Sequence, residues 1–471
     1  MNISEEIMSF KELEQKVQEK MHKQGCNMLK EFLERYDRAL MESRDKCMYR
    51  HKGSHPTTIK TVMGEMEYSR VVYEVWVDGT KIGHTYLLDE AMGISCSGQL
   101  SELLCDQIVH ASCEGTYRDA ARAVSEMTGQ PISHTTAWNV VQAVGHQVDE
   151  LEQRAAELAA ADKGAGTIET KVLFEEQDGI NLSLQGNSRK EHGARKEMKV
   201  AIGYDGAKQT GKKRYKLTNK VACASFEGII DFVKRKEGVI ASIYSVDEIE
   251  MRFLNGDGAN WIRHSQTDDT VHFQLDPFHR NKAVTEYVSD LESRERIKEL
   301  LHSEDIDLLL HIIEVEALST DDEKERENYL KLLGYFQNNK DALVPYYRRG
   351  LDIPEPPDGK QYRRMGAMES NIFTIIGNRM KGRRHCWSIP GAENLARLLC
   401  LKHTGKLRGI LDKLSAVALP EHYTEEFKVE FSAAKIPQRV GKGYNGFHQT
   451  MIPSNMKWFK NLASQKQVYK F

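Results

Sequence analysis

The chain has 471 residues, 40% hydrophobic and 29% charged, with 66 Lys and Arg against 69 Asp and Glu for a formal net charge of −3. That supports a substantial core and roughly three domains of about 150 residues each, and no stretch approaches the roughly 18 consecutive apolar residues of a membrane span. A chain that bound nucleic acid over its whole surface would be basic, so such contacts must come from local patches.

The opening MNISEEIMSF is acidic and lacks the basic-then-apolar pattern of a secretion signal. None of the 8 cysteines forms a C-x-x-C pair, so reduced thiols and a cytoplasmic location are expected. Residues 9–46 carry Phe10, Leu13, Val17 and Met21, then Met28, Leu29, Phe32, Leu33, Tyr36 and Leu40, at helical spacing with a charged opposite face. This predicts a helix that layers on the body or pairs between subunits. Residues 57–89 switch to β-branched and aromatic runs interrupted by Gly64 and Asp78-Gly79, the pattern of a small β-meander.

QLSELLCDQIVHAS and TYRDAARAVSEMTG read as two helices, Gly129-Gln130-Pro131 breaks the chain, and Ser133 caps a third, HTTAWNVVQAVGHQV. Two helices joined by a tight Gly-containing turn match a helix-turn-helix, a pattern any three-helix bundle shares. In the DNA-binding form the N-terminal residues of the second helix face base edges; here these are His134, Thr135, Thr136 and Asn139. Cys105 and Cys113 near His110 have metal-like proximity but fit buried helix positions better. An Ala- and Glu-rich helix over 148–166 ends in Lys163-Gly164-Ala165-Gly166, a linker.

Strands and helices then alternate. TIETKVLFEEQDG, INLSLQG and KEMKVAIGYDG read as three strands, FEGIIDFVKRK as a helix, EIEMRFLNGDG as a strand, NWIRHSQ as a short helix and VHFQLDPF as another strand. This is an α/β layer with a mixed sheet. Residues 280–350 are almost purely helical, Pro354, Pro356 and Pro357 mark a loop, AMESNIFTIIGNRM is a further helix, and the last 40 residues are basic and aromatic.

Asp257, in FLNGDGANWI, stands at the end of an apparent buried strand with glycine on both sides. Strand ends followed by glycine turns expose functional side chains in α/β folds; the plain alternative is an ordinary Asp-Gly turn. Asp178-Gly179 ends a second apolar run. Two such acids repel unless something offsets them, and a divalent cation does so with oxygen ligands. Glu369, in the first turn of a helix where the dipole alone would favour it, supplies a third carboxylate. Between Arg363 and Arg408 ten Lys or Arg face two acids, Glu369 and Glu393, and Arg379, Lys381, Arg383 and Arg384 cluster near Glu369. A carboxylate inside a basic stretch fits a metal site acting on a phosphate backbone. Two Mg2+ ions about 4 Å apart, or Mn2+, would be held by Asp178 as bridge with Asp257 and Glu369 on one ion each. Glu175 and Glu176 stand beside Asp178, and Glu176 shares its strand face, so either is an alternative to, or an aid for, the assigned acid.

In order along the chain, LERYDRALMESRDK, TTIKTVMGEMEYSR, YRDAARAVSEMTGQPISHTTAW, DGINLSLQ, NGDGANWI, LDPFHRNKAV and MESNIFTIIGNRMKGRRHCWS resemble bacterial insertion-sequence transposases of the ISLre type. More distantly they resemble the Mutator-like DDE transposases. The resemblance implies an α/β RNase H-like catalytic core with an all-α insertion, preceded by an α+β N-terminal DNA-binding region with a helix-turn-helix. It places a D/D/E triad on Asp178, Asp257 and Glu369, and makes His279, in Asp276-x-x-His279, a residue that contacts DNA or orders the site. The organisation it implies is an N-terminal helix for oligomerisation (1–50), a β-meander (51–99), a helix-turn-helix with linker helix (100–166), the first part of the core (167–280), a helical insertion (281–360), the last part of the core (361–410) and a basic C-terminal segment (411–471). The implied activity is binding of an element's terminal inverted repeats, metal-dependent DNA cleavage and strand transfer, by a homo-oligomer of at least two subunits on double-stranded DNA. An RNase H-like nuclease without joining, a non-catalytic helix-turn-helix regulator and a helical scaffold are the alternatives.

Overall fold

The computed structural model describes residues 8–93, 100–303, 305–382 and 385–415. Arg383, Arg384 and the basic C-terminal segment past 415 therefore lie outside the described residues.

Helix α1 (Phe10–Ser43) starts in a capping box: Ser9 Oγ accepts the Glu12 N–H, and the Glu12 carboxylate takes the Ser9 N–H at 2.7 Å. Only its second half is buried, through Phe32, Leu33, Tyr36 and Asp37, and Asp37 accepts the Val71 N–H at 2.8 Å. Phe10, Leu13, Val17, Met21 and Met28 stay exposed. The meander is β1 (Tyr49–Thr61), β2 (Gly64–Val77) and β3 (Thr80–Thr85), an antiparallel sheet in that order. It begins earlier than expected because YRHKGSH, too polar to read as a strand, pairs with β2. Next come α2 (Leu87–Met92), α3 (Glu102–Glu114), α4 (Tyr117–Thr128) and α5 (His134–Ala160). Gly129, at φ 66°, ends α4, and Ser133 caps α5 by accepting the Thr136 N–H at 2.9 Å. Helix α5 is one 27-residue element. The helix expected to start near 148 is its continuation, since Gln147-Val148-Asp149 contains neither a breaker nor a new cap.

Then follow β4 (Val172–Ser183), α6 (Gly186–His192), β5 (Arg195–Tyr204), β6 (Ala207–Gly211), β7 (Arg214–Leu217), β8 (Val221–Ser225), α7 (Ile229–Ala241), β9 (Met251–Gly256), α8 (Asn260–Arg263) and β10 (Val271–Leu275). Five strands form one mixed sheet in the order β10-β9-β4-β5-β8. Strands β4, β9 and β10 run parallel, and β5 is antiparallel to both β4 and β8. The two strands expected on either side of Asp178-Gly179 are the single strand β4, paired with β5 as far as Ser183↔Arg195. A cross-strand partner overrides the local turn preference of Asp-Gly. Helices α9 (Pro277–Tyr287), α10 (Leu291–Ser303), α11 (Ile306–Ser319) and α12 (Glu323–Asn338) pack Val284, Ile297, Leu309, Ile313, Leu332 and Phe336 into one cluster with Leu254, Phe273 and Leu275 of the sheet. Helix α13 (Met368–Ile372) passes through a π-helical turn, Phe373–Gly377, into α14 (Asn378–Met380); α15 (Ile389–His403) and α16 (Leu407–Leu414) follow. The sequence reading missed α15, although Ser388 caps it and Pro390 sits in its first turn.

Helix α5 is clamped between α7 and α15. A Cβ on Gly238 would lie 2.5 Å from the Ala156 nitrogen, and one on Gly145 would lie 2.8 Å from Asn394 Cα, so each crossing tolerates only glycine. Buried Arg235 bridges the same helices, pairing with Asp149 and Glu152 at 2.8 Å and with Glu227 at 2.5 Å; Arg397 also meets Asp149 at 2.8 Å. Replacing Arg235 by Met leaves several acids short of a partner, and a urea melt should show a loss of about 3–5 kcal/mol. A loss under about 1 kcal/mol would mean the network is not what holds α5.

On the sheet, Lys236 and Arg252 pair with Glu175 at 2.5 and 2.6 Å and with Glu237 at 2.8 and 2.9 Å. Burial alone would raise the Glu237 carboxyl, but the two cations hold it down at about 2. A depressed folded value contributes stability above the ordinary value of 4.5, and that stability is lost as pH falls towards 2. Glu237→Gln should therefore flatten the loss of stability between those pH values in acid titrations. An unchanged acid profile would contradict this assignment.

Candidate metal centre

Parallel strands β4 and β9 are in register to Glu176↔Asn255, and β9 ends one residue later while β4 runs on. Carrying that register two residues further sets Asp178 alongside Asp257. Helix α9 begins directly after β10, where Asp276 Oδ1 accepts the Phe278 and His279 N–H groups at 2.7 and 3.3 Å and fixes His279 in the first turn. Glu369 occupies the first turn of α13. One ligand atom each from Asp178, His279 and Glu369 lie within 4.8 Å of one another, and His279 Nε2 is 3.6 Å from Asp178 Oδ2.

Two members of the expected triad, Asp178 and Glu369, meet in this group, and Asp257 is not part of it. His279 joins Asp178 and Glu369 in the tight group, while Asp257 stands beside it. Its Oδ1 accepts the Ala259 N–H at 2.9 Å and closes its own turn. The flanking glycines have separate causes. A Cβ on Gly256 would meet Ile262 at 2.8 Å, whereas Gly258 has φ +88° and faces Asn339 Oδ1 at 2.9 Å. Tyr335 of α12 donates its hydroxyl to the Asp257 carbonyl at 2.8 Å, so the helical region holds this turn.

The neighbouring Asp178 carboxylate raises His279 above the ordinary imidazole value against the opposing effect of burial, and the charges of Asp276 and Asp257 add to the rise. Glu197, on β5, is an acid that the sequence reading missed. Burial raises its carboxyl, with the charges of Asp257 and Asp178 adding to the rise. A Cβ on Gly179 would fall within 2.5 Å of Glu197 Cδ, so the glycine read as a turn former makes room for this acid. Two carboxylates and an imidazole within ligand reach, crowded by further negative charge, suit a divalent cation.

Glu175 and Glu176 lie outside the group. Glu175 is buried against Lys236 and Arg252; Glu176 is buried and accepts the Tyr204 hydroxyl at 2.6 Å. Burial pushes the Cys105 and Cys113 thiols up to about 11, as expected for core residues. His134, Thr135 and Asn139 are exposed at the start of α5, and Thr136 is partly covered and bonded to Ser133. Lys381 is exposed. Arg379, expected at a phosphate, is instead buried: Nε donates to the Ser112 carbonyl at 2.8 Å, and the guanidinium lies 5.5 Å from both the Tyr117 and Trp387 rings. A cation among basic neighbours reads as surface in the sequence, but these rings and the end of α3 draw it inward. Arg363 and Arg364 are exposed, with Arg363 stacked on Tyr215 at 3.6 Å.

The sequence profile described as "Uncharacterised protein family (UPF0236)" matches residues 3–413. The chain belongs to the UPF0236 family. The match spans every residue of the centre. One similar protein is the "UPF0236 protein in vanSb 3'region" of Streptococcus gallolyticus, 23% identical over 406 residues, which cover 84% of this chain and 83% of that one. Another UPF0236 protein, from Caldanaerobacter subterraneus subsp. tengcongensis, carries eleven locus labels in its name and is 23% identical over 421 residues, 87% of this chain and 82% of its own. Among solved structures, the Drosophila P element transposase strand transfer complex overlaps 66% of this chain and 80% of that chain at 10% identity and a TM-score of 0.20, a likeness too slight to argue from. Among the described residues, no helix of this UPF0236 chain is long and apolar enough to cross a membrane.

Asp178→Asn and Glu369→Gln should each weaken Mn2+ binding, measured by titration calorimetry, at least about tenfold. The exposed control Asp321→Asn should bind like the parent. Equal affinity in all three would place the ion elsewhere.

Proposed function

We propose that this UPF0236 chain is a metal-dependent DNA transposase of a bacterial insertion sequence. The observation that carries the reading is the meeting of Asp178, His279 and Glu369 within 4.8 Å, with Asp257 on the neighbouring strand end. The sheet supports an RNase H-like core: the first core strand β4 is central, the antiparallel second and the third lie to one side, and the parallel fourth and fifth lie to the other. The helical layer of α9 to α12 enters between the fifth strand and Glu369, where an all-α insertion is expected.

Asp178 and Glu369 would hold the cations through carboxylate oxygens, with Asp257 completing the set from its turn. Two Mg2+ ions about 4 Å apart, or Mn2+, when bound would acidify the attacking water or DNA 3′-hydroxyl and offset charge on the leaving oxygen. His279 Nε2 either carries a proton facing Asp178 or, deprotonated, offers its lone pair. The imidazole makes Mn2+ the better probe of this donor set. Arg363, Arg364 and Lys381, together with Arg383 and Arg384 in the sequence, suit sequence-independent phosphate contacts. Helices α4 and α5 suit a helix-turn-helix, with His134, Thr135, Thr136 and Asn139 towards base edges. A relative whose name joins eleven locus labels within one strain fits a gene that spreads copies of itself.

Joining requires two DNA ends held together, hence at least a dimer, and the exposed stripe Phe10, Leu13, Val17, Met21 and Met28 of α1 supplies a face for it. Val17→Glu with Met21→Glu should convert the dimer to monomer in light scattering. A surviving dimer would place the contact elsewhere.

The decisive assay is cleavage and strand transfer on DNA carrying the element's ends, in Mg2+ or Mn2+. Asp257→Asn should reduce cleavage at least about a hundredfold while salt-dependent DNA binding persists. Undiminished cleavage by folded Asp257→Asn protein would overturn the catalytic reading. Cleavage without joining of pre-cut ends would reduce the protein to a nuclease.

A further inference from the structure

Four neutral donors converge on the fully buried carboxylate of Glu176. The Tyr204 hydroxyl reaches Oε1 at 2.6 Å; Asn255 Nδ2 and the Gly366 and Met368 N–H groups reach Oε2 at 3.2, 3.0 and 3.0 Å. Asn255, also fully buried, donates to Asp276 Oδ2 at 2.5 Å and accepts from Gln274 Nε2 at 3.2 Å. Asp276 in turn caps α9.

Every member of the metal centre lies close in sequence to a member of this network. Asp178 is two residues after Glu176, Asp257 two after Asn255, His279 three after Asp276, and Glu369 directly after Met368. The parallel ladder fixes β4 against β9. It does not fix α13, which returns to the sheet only after the helical region and the proline loop. The two main-chain bonds into Glu176 Oε2 tie the start of α13 to β4, beside the burial of Met368 and Ile372 in the core. An apolar residue at 176 would take the acceptor from the Gly366 and Met368 N–H groups and leave Asn255 only its bond to Asp276.

We propose that Glu176, acting with Asn255 and Asp276, is a positioning residue that sets the starts of α13 and α9 and so holds Glu369 and His279 against Asp178 without touching a metal ion. The inference rests on the metal centre proposed above and does not require DNA joining.

The test compares two substitutions in the full chain, read by Mn2+ affinity in titration calorimetry and by thermal melting. In Glu176→Gln the side-chain oxygen keeps the three-donor side that holds α13, and the amide faces the Tyr204 oxygen, so the only acceptor lost is that of the Tyr204 hydroxyl, away from α13. Affinity should stay within about threefold of the parent, well short of the tenfold or greater loss typical of a disrupted outer shell. Glu176→Asp keeps the charge but withdraws it by one carbon–carbon bond, about 1.5 Å, beyond reach of the Gly366 and Met368 N–H groups. Affinity should fall ten- to hundredfold with a cooperative melt retained. Parent-like affinity in Glu176→Asp would overturn the proposal, as would loss of binding in Glu176→Gln equal to that of Asp178→Asn, which would make Glu176 a ligand. If Glu176→Asp does not fold, Asn255→Ala carries the test with the same expected loss, and parent-like binding there overturns the proposal. DNA cleavage is scored separately. Expected affinities with no cleavage would sink the transposase reading and leave this inference standing; the reverse pattern would do the opposite.

Discussion

Like charges about 4 Å apart near a protein surface repel by about 4 kcal/mol. The fold sets oxygens of Asp178 and Glu369 within 4.8 Å, with Asp257 close enough to act on His279 and on Glu197. A fold that keeps these acids together must hold them against that repulsion. Part of the offset is local, since His279 faces Asp178 at 3.6 Å. The rest is architectural. The β4–β9 ladder runs up to the residues just before Asp178 and Asp257, the bonds into Glu176 tie down the start of the helix that carries Glu369, and Tyr335 holds the turn that carries Asp257. A bound divalent cation would turn this unfavourable cluster into a favourable one.

The supporting layers follow from the same requirement. Helix α5 joins the N-terminal helices to the sheet, and its close crossings with α7 and α15, made possible by Gly238 and Gly145, leave little freedom for sliding. Arg235 and Arg397 neutralise the acids buried at those crossings. Helices α9 and α12 share apolar packing with β9 and β10, in a cluster that also takes in Phe232 of α7. The residues proposed to face DNA lie at the exposed start of α5 and, for Lys381, Arg363 and Arg364, on segments next to Glu369.

Much of this was legible in the sequence where the signal was local. Helical period and caps gave α1, α3, α4 and α10 to α12, and apolar runs gave β5, β9 and β10 and the first half of β4. Glycine after a strand pointed to Asp257, and a carboxylate in a basic tract pointed to Glu369. What failed depended on partners far along the chain. Asp178-Gly179 looked like a turn because β5, which carries the strand through it, is invisible locally. Glu197 enters the site through cross-strand register. His279 rather than Asp257 completes the tight group because the Asp276 cap aims it inward while the Ala259 N–H ties Asp257 back. Arg379 read as a surface charge because the rings of Tyr117 and Trp387 and the Ser112 carbonyl, which draw it inside, lie elsewhere in sequence.

The most direct measurement is anomalous X-ray scattering from crystals of the full chain equilibrated with Mn2+. The account predicts a peak at the end of β4 with carboxylate oxygens of Asp178 and Glu369 at hard-ligand distance, about 2.1 Å. A saturated crystal whose ions all bind away from these two side chains would contradict it.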